Sequence, residues 1–259
     1  MEKRDVIYDA DTERVDEINE DITLIQKKRG LTFGTDAYLL SAFAKASRYG
    51  CAADLGSGTG VIALLCAAKN KYKKVYAVEV QAEFARLIGR NVKLNSLDDK
   101  VDVVNRDVRE LSQKDTCGEV DCVLMNPPYM KNNSGLSNEH DEKNIARREV
   151  LGTIYDFCRA ASSILKSGGG LFAVHRPERL IDLTDAMRCA GVEPKKIVFI
   201  HPDAKSEPSL VLVEGKKGAA SSLIVTRPLI IYKENTREYT DDMQRIYDEF
   251  SMSHITERQ

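Results

Sequence analysis

Hydrophobic and polar positions along this chain fall into two alternating kinds of block. Short apolar runs recur at residues 51–55, 75–78, 101–104, 120–125, 171–175, 197–201 and 210–213, and each reads as a buried strand. Between them lie longer segments whose apolar residues return every three or four positions: 61–68, the stretch through Phe84, Leu87, Ile88 and Val92, then 149–165 and 180–190. That spacing predicts helices. Strands and helices in regular alternation predict an α/β fold built on a doubly wound, seven-stranded, mostly parallel sheet.

The pattern changes at both ends. Residues 1–22 form an acidic leader with few apolar positions, expected to be loosely held. Ile22, Leu24 and Ile25, ahead of Gln26-Lys27-Lys28-Arg29-Gly30, read as a short hairpin or an extended arm. Asp36 is expected to cap a helix whose apolar positions include Ala37, Leu39, Leu40, Phe43 and Ala44. After the last strand, two short segments flank Pro228 and a terminal helix is expected near 239–250. The divisions that follow are a leader at 1–22, an arm and helix at 23–48, a main domain at 49–232 and a helical tail at 233–259.

Two internal features break the rhythm. Gly168-Gly169-Gly170 suit a left-handed cap and turn closing the helix that ends near 165. Residues 131–148 are mostly polar and have no apolar period. A connection of that length inside a compact domain is a functional lid or a disordered stretch, and its departure directly from Tyr129 favours a lid over substrate.

Composition narrows the class. Hydrophobic content of 42% and charged content of 30% suit a water-soluble protein, and no apolar run approaches the ~18 residues that span a bilayer. No apolar segment follows the opening Met-Glu-Lys-Arg-Asp, so a cytoplasmic address without membrane attachment is expected. Cys51, Cys66, Cys117, Cys122, Cys158 and Cys189 have no two-residue spacing and read as reduced structural thiols. His140, His175, His201 and His254 lack zinc-type spacing, so no metal is expected.

Net charge is −2, yet residues 1–23 carry nine acidic and three basic side chains, which leaves the remainder at +4. Within that body Lys195, Lys196, Lys205, Lys216, Lys217 and Arg227 face only Asp203, Glu207 and Glu214 between residues 195 and 227. Either a basic patch for nucleic acid or an ordinary solvated face fits that count.

The chemistry concentrates at strand ends. Asn126-Pro127-Pro128-Tyr129 follows the run 120–125 directly. Prolines cannot donate to a sheet ladder and Pro127 forces Asn126 toward an extended backbone, so the strand stops there. An amide and a phenol are left at the carboxyl end, the edge where open α/β sheets bind ligands. The Asn126 side-chain carbonyl and the next backbone carbonyl are two acceptors for the hydrogens of a planar amino group, and an aromatic face two residues on can stack a base.

Asp54-Leu55-Gly56-Ser57-Gly58-Thr59-Gly60 follows the first strand and opens its helix. Alternate glycines permit positive φ and a close backbone approach, while the helix start offers free N–H groups to a small polar ligand. Val61 spoils the dinucleotide fingerprint, and no Lys-Ser/Thr pair follows to make a P-loop. Glu79 ends the second strand, placed to accept a ribose diol, and Asp107 follows the third, placed for an adenine amino group, with Val80 and Val108 beside them. A loop for an amino-acid end, an acid for ribose and an acid for adenine describe S-adenosylmethionine better than NAD.

On these residues the chain resembles the class I S-adenosylmethionine-dependent methyltransferases, Rossmann-like enzymes, and among them those that modify exocyclic amino groups. Within that class it resembles the methyltransferase small domain group. It is most similar to the bacterial enzymes that methylate N6 of the adenine beside the anticodon of valine tRNA. Phe33-Gly34-Thr35-Asp36-Ala37, the lid's end Ile145-Ala146-Arg147-Arg148-Glu149, and Leu212-Val213-Glu214-Gly215-Lys216-Lys217-Gly218 carry the closer match. Arg148 stands where relatives are expected to have His. The resemblance implies a tRNA substrate and S-adenosylmethionine as cofactor, with Asn126, Pro127, Pro128 and Tyr129 gripping the amino group. It also implies that Phe33, Gly34, Thr35 and Asp36 close over the methionine end of the cofactor. Arg147, Arg148, Lys195, Lys196, Lys216 and Lys217 are the candidate RNA contacts. A monomer is expected. Other acceptors (guanine N2 in ribosomal RNA, adenine in DNA, glutamine in a protein) and a cofactor-binding RNA-binding protein without turnover remain the competing readings.

Overall fold

The structure, a computed structural model, describes residues 8–28, 34–127 and 152–257. Its centre is the expected sheet: β3 (Ser47–Leu55), β4 (Tyr72–Glu79), β5 (Val101–Asn105), β6 (Val120–Met125), β7 (Leu165–His175), β8 (Val192–His201) and β9 (Leu210–Lys217). They lie in the order 8-9-7-6-3-4-5, parallel except for β9, which runs antiparallel to both neighbours. Two-residue strands β10 (Ile224–Val225) and β11 (Leu229–Ile230) add to β8, making nine strands among the described residues. The winding reverses where β3 lies between β4 and β6. The carboxyl ends of β3 and β6 therefore flank the switch-point crevice, where such sheets bind ligands.

The period of two along the strands sorts side chains into two cores. Cys122, Leu124, Phe172, Val174 and Leu212 face one layer, while Val123, Met125, Leu171, Ala173 and Val211 face the other. The first layer packs against α1 (Thr35–Phe43), α2 (Val61–Ala68) and α3 (Ala82–Leu94), the second against α4 (Ile154–Ile164) and α5 (Leu180–Cys189). The α4 start is fixed by a capping box, Thr153 accepting from the Asp156 N–H and Asp156 accepting from the Thr153 N–H. Among the described residues no helix is long and apolar enough to cross a membrane.

Three expectations need correction. The acidic leader is not loose where it is described: β1 (Glu13–Glu17) pairs antiparallel with β2 (Thr23–Lys27). Tertiary ion pairing replaces the missing apolar pattern. Buried Glu13 takes a two-pronged bond from Arg90 at 3.0 and 2.6 Å, which holds its carboxyl down at about 2. The triple glycine caps no helix, since α4 ends at an extended Leu165 and Gly168, Gly169 and Gly170 lie inside β7. There the pairing with β6 slips register, and φ is +75° at Gly168. Asp36 is not the cap of α1 either. Gly34 occupies that place and Asp36 lies in the first turn.

The tail folds back onto α1. In α6 (Asp241–Glu249) and the turn of helix after it, Met243, Ile246, Phe250, Met252 and Ile255 enter the first core, and Tyr247 stacks on Tyr38 with centroids 4.5 Å apart. The far end of α1 is held by buried Lys71, whose Nζ donates to the carbonyls of Ser41, Ala42 and Ala44 at 2.6, 3.0 and 2.6 Å.

Candidate active site

The glycine loop turns between β3 and α2 with positive φ at Gly56, Gly58 and Gly60. Gly60 is required twice: φ is +87°, and a Cβ there would come within 2.9 Å of Ile88. The N–H groups of Gly56 and Ser57 donate to the Val78 carbonyl, which ties the loop to the end of β4.

Three carboxylates border it, each at a strand end. Asp54 is fully buried; burial pushes its carboxyl up to about 7, against the Ser57 hydroxyl and the Ala63 N–H that favour its charge. Ser57 Oγ donates to Oδ2 at 2.5 Å, while among the described residues buried Oδ1 has no hydrogen-bond partner. Glu79 accepts from Gly58 N and Gln81 N, both at 2.9 Å, and burial raises its pKa. It thereby fixes the loop and projects from the end of β4. Asp107, at the start of a 3₁₀ turn over Val108–Glu110, is clasped by Arg109, which lowers its pKa. Val80 follows Glu79 at the same edge and Val108 is buried behind the turn.

Asn126 stands at the end of β6, which pairs in register with β3 from Ala52↔Cys122 to Leu55↔Met125. The Asp54 loop and Asn126 therefore leave the same edge side by side. Asn126 Nδ2 donates to Asp36 Oδ2 at 3.0 Å, and Asp36 Oδ1 accepts from the Ala37 N–H. A carboxylate only accepts, so this bond fixes which end of the amide faces α1 and leaves the carbonyl end for an incoming donor.

One more residue joins the assembly without a signal from motif reading. Asn91, fully buried on α3, accepts from Ile25 N at 2.7 Å and donates to Ile25 O at 3.1 Å and Thr59 O at 3.0 Å. Asn95, one helical turn on, repeats the exchange with Thr23 N and O. The pair imitates a neighbouring strand for β2 and links that arm to the glycine loop. A polar residue at an apolar helical position, between Ile88 and Val92, was the available clue.

The structure brings together Gly34, Thr35, Asp36, Asp54, Gly56, Ser57, Gly58, Thr59, Gly60, Glu79, Val80, Asp107, Val108, Asn126 and Pro127 around the carboxyl edge. Phe33, Pro128, Tyr129, Arg147, Arg148 and the 131–148 lid lie outside the described residues. The basic stretch belongs elsewhere. Lys216 pairs across from Gly170, itself level with Cys122, so Lys216 and Lys217 sit about 13 Å or more along the strands from Asn126, while Lys195 and Lys196 lie on β8, three strands over from β6 at about 14 Å, with Lys196 level with Leu124. Three of the four serve the fold. Lys195 donates to Ala220 O, Lys196 pairs with Glu214 at 3.4 Å, and Lys217 caps α4 through Ser162 O and Leu165 O.

A doubly wound sheet with an antiparallel β9, a glycine loop at the switch point and an acid on each of the next two strand ends defines a class I methyltransferase. Comparison with known proteins agrees. The sequence model of the methyltransferase small domain matches residues 28–187, and the chain belongs to that family. It is 27% identical over 216 residues to a tRNA1(Val) (adenine(37)-N6)-methyltransferase of Dyadobacter fermentans, covering 82% of this chain and 87% of the relative. It is 26% identical over 198 residues to one of the same name from Trichodesmium erythraeum, covering 75% and 81%. Among solved structures, a predicted O-methyltransferase from Agrobacterium tumefaciens superposes with a TM-score of 0.67 at 25% identity, over 83% of this chain and 97% of that one.

Proposed function

We propose that this methyltransferase uses S-adenosylmethionine to methylate an exocyclic amino group, namely adenine N6 in tRNA beside the anticodon of valine tRNA. The observation that carries the reading is the Asn126–Asp36 bond, which presents an amide carbonyl at the sheet edge next to the glycine loop. The cofactor supplies a sulfonium methyl group as electrophile. Its polar groups fit what the site offers: glycine-loop backbone, Asp54 Oδ1, which has no hydrogen-bond partner among the described residues, and the carboxylates of Glu79 and Asp107. Support for the acceptor comes from the activity for which the tRNA-modifying relatives are named.

Asn126 Oδ1 and the Pro127 carbonyl accept the two amino hydrogens and turn the nitrogen lone pair out of conjugation. Tyr129, by its place in the Asn-Pro-Pro-Tyr run, stacks the base once it has left its own stack. Bound there, the cofactor would supply the methyl group, its sulfur keeping the carbon–sulfur electron pair, and Asn126 and Pro127 would hold the nitrogen that takes the methyl and then releases a proton to water. Orientation is the protein's main contribution and can supply roughly 7–11 kcal/mol.

The test is transfer of labelled methyl to tRNA lacking its modifications, followed by digestion and nucleoside mass analysis. N6-methyladenosine in valine tRNA is expected from the wild type, and none from Asn126→Ala at unchanged cofactor affinity. Label appearing only in ribosomal RNA, DNA or protein would move the acceptor. Full activity in Asn126→Ala would remove the amide from the mechanism.

A further inference from the structure

The first turn of α1 is gripped from two sides. Residues two apart on a helix point about 200° away from one another. Asp36 meets Asn126 on one side, and buried Tyr38 turns to the C-terminal tail on the other. Gly34, at the helix start, brings no side chain to pin that turn. Its setting is left to these two contacts and to the core beneath.

The tail contact is anchored in its turn. The Tyr247 ring stacks on Tyr38 with planes 15° from parallel, the Tyr247 carbonyl accepts from the Tyr38 hydroxyl at 3.1 Å, and Phe250 meets the Tyr38 ring edge-on at 5.2 Å. Behind Tyr247 the stack runs on through Tyr239, with centroids 5.5 Å apart, to Tyr232, 5.6 Å further. Tyr232 is tied to the sheet, its N–H donating to Pro202 O, just past β8, at 2.8 Å. α6 is tied there as well: Thr240 Oγ1 caps its start by accepting from Met243 N and donates to Ile230 O on β11, while Arg227 donates to both oxygens of Asp242 at 2.5 and 2.9 Å. The tail is therefore a strap that runs from the β8–β11 side of the sheet to the first turns of α1.

We propose that Tyr247 is a positioning residue for methyl transfer: through Tyr38 it sets the first turn of α1, and thereby the Asp36 carboxylate that orients the Asn126 amide. The inference rests on the reading of Asn126 as the group that holds the acceptor nitrogen. Tyr247 touches neither cofactor nor acceptor in this scheme. Its effect is on geometry alone, and a small displacement of an aligned group is enough to slow a reaction whose barrier is lowered mainly by orientation. The tail, more than 100 residues from Asn126 in the sequence, thus belongs to the machinery of the site as well as to the core.

The experiment follows the Asn126 side-chain NH2 signals by NMR of the nitrogen-15-labelled protein, together with steady-state methylation of unmodified tRNA. The signals are assigned by their loss in Asn126→Ala, and Asp36→Ala gives their position once the bond is broken. In Tyr247→Ala they are expected to move towards that position, with kcat lower by about fivefold and with the KM for tRNA and the cofactor affinity within about twofold of the wild type. Tyr247→Phe keeps the stacking face and the backbone carbonyl, so it should restore both signals and rate. Leu183→Ala opens a cavity in the second core, away from the tail, and should lower stability without moving the signals. Unmoved signals in Tyr247→Ala, or an equal movement in Leu183→Ala, would overturn the assignment, as would an unchanged kcat in Tyr247→Ala. Full activity in Asn126→Ala would instead overturn the reading of the site, while the amide signals would still report whether the tail holds Asp36 in place.

Discussion

Asn126 and Asp36 are 90 residues apart and are joined by a 3.0 Å bond from the amide Nδ2 to the carboxylate Oδ2. The bond crosses from the end of β6 to the first turn of α1, so the orientation of the acceptor-gripping amide depends on where that helix begins. Asp36→Ala should lower kcat 10- to 100-fold, about 1.4–2.7 kcal/mol of transition-state stabilisation, with cofactor affinity changed much less. Asp36→Asn retains an acceptor oxygen and should recover most of the rate. Equal loss in both variants would show that the charge, rather than the amide's orientation, is what matters.

The asparagines of α3 make a second dependence. Asn91 satisfies Ile25 N, Ile25 O and Thr59 O at once, so Asn91→Ala leaves three buried backbone groups without partners. A loss of roughly 3 kcal/mol is expected. At about 2–4 °C per kcal/mol for a domain of this size, the melting temperature should drop by about 6–12 °C. Because Thr59 belongs to the glycine loop, cofactor affinity should weaken by about tenfold even at temperatures where the variant is folded. Calorimetry and cofactor titration together check this, and a folded variant with wild-type affinity would uncouple the arm from the loop.

Acidity acts on two buried groups with opposite signs. Asp54 ionises at about 7 in the folded protein against 3.8 ordinarily, so between those values the folded state holds a proton that the unfolded chain has released, and stability falls as pH rises. Burial lowers His175 from 6.5 to about 4, so between those values the unfolded chain holds the extra proton and stability rises with pH. Each tenfold change in an ionisation constant is worth about 1.4 kcal/mol, so denaturant titration at pH 4.5 and 8 should find that Asp54→Asn gains on the wild type by ~3 kcal/mol at the higher pH. His175→Gln should gain on the wild type at the lower pH instead. A pH-independent difference for Asp54→Asn would place its ionisation outside this window.

Much of this arrangement was legible in the chain, for identifiable reasons. Val120–Met125 and Val61–Ala68 appear with the expected bounds, because a continuous apolar run ended by proline, and a glycine loop followed by apolar residues on every side, each admit one structure. β1 was illegible because Glu13 is buried by its bond to Arg90, 77 residues away, and not by an apolar period. The triple glycine misled because a register slip inside a strand uses the same residue as a helix cap. The placement of lysines 195 to 217 was illegible for a further reason: charge along a sequence does not say which edge of a sheet it reaches, and β8 and β9 run in opposite directions.

Lys71 offers a test of how far the site depends on the far end of α1. Its ammonium is buried beneath Phe250, whose ring centroid lies 5.0 Å away, and it gathers the carbonyls of Ser41, Ala42 and Ala44, which end the helix that begins beside Asp36. Lys71→Met keeps the length and apolar stem but leaves those carbonyls without a donor. Breaking such a buried arrangement from one side costs about 3–5 kcal/mol, which corresponds to a melting temperature lower by about 6–20 °C. Because the Asn126–Asp36 bond sits at the opposite end of α1, kcat at 20 °C should stay within threefold of the wild type. A large fall in kcat in the folded variant would mean that α1 moves as a unit and carries Asp36 with it. A melting temperature within 2 °C of the wild type would mean that the three bonds contribute nothing net to stability.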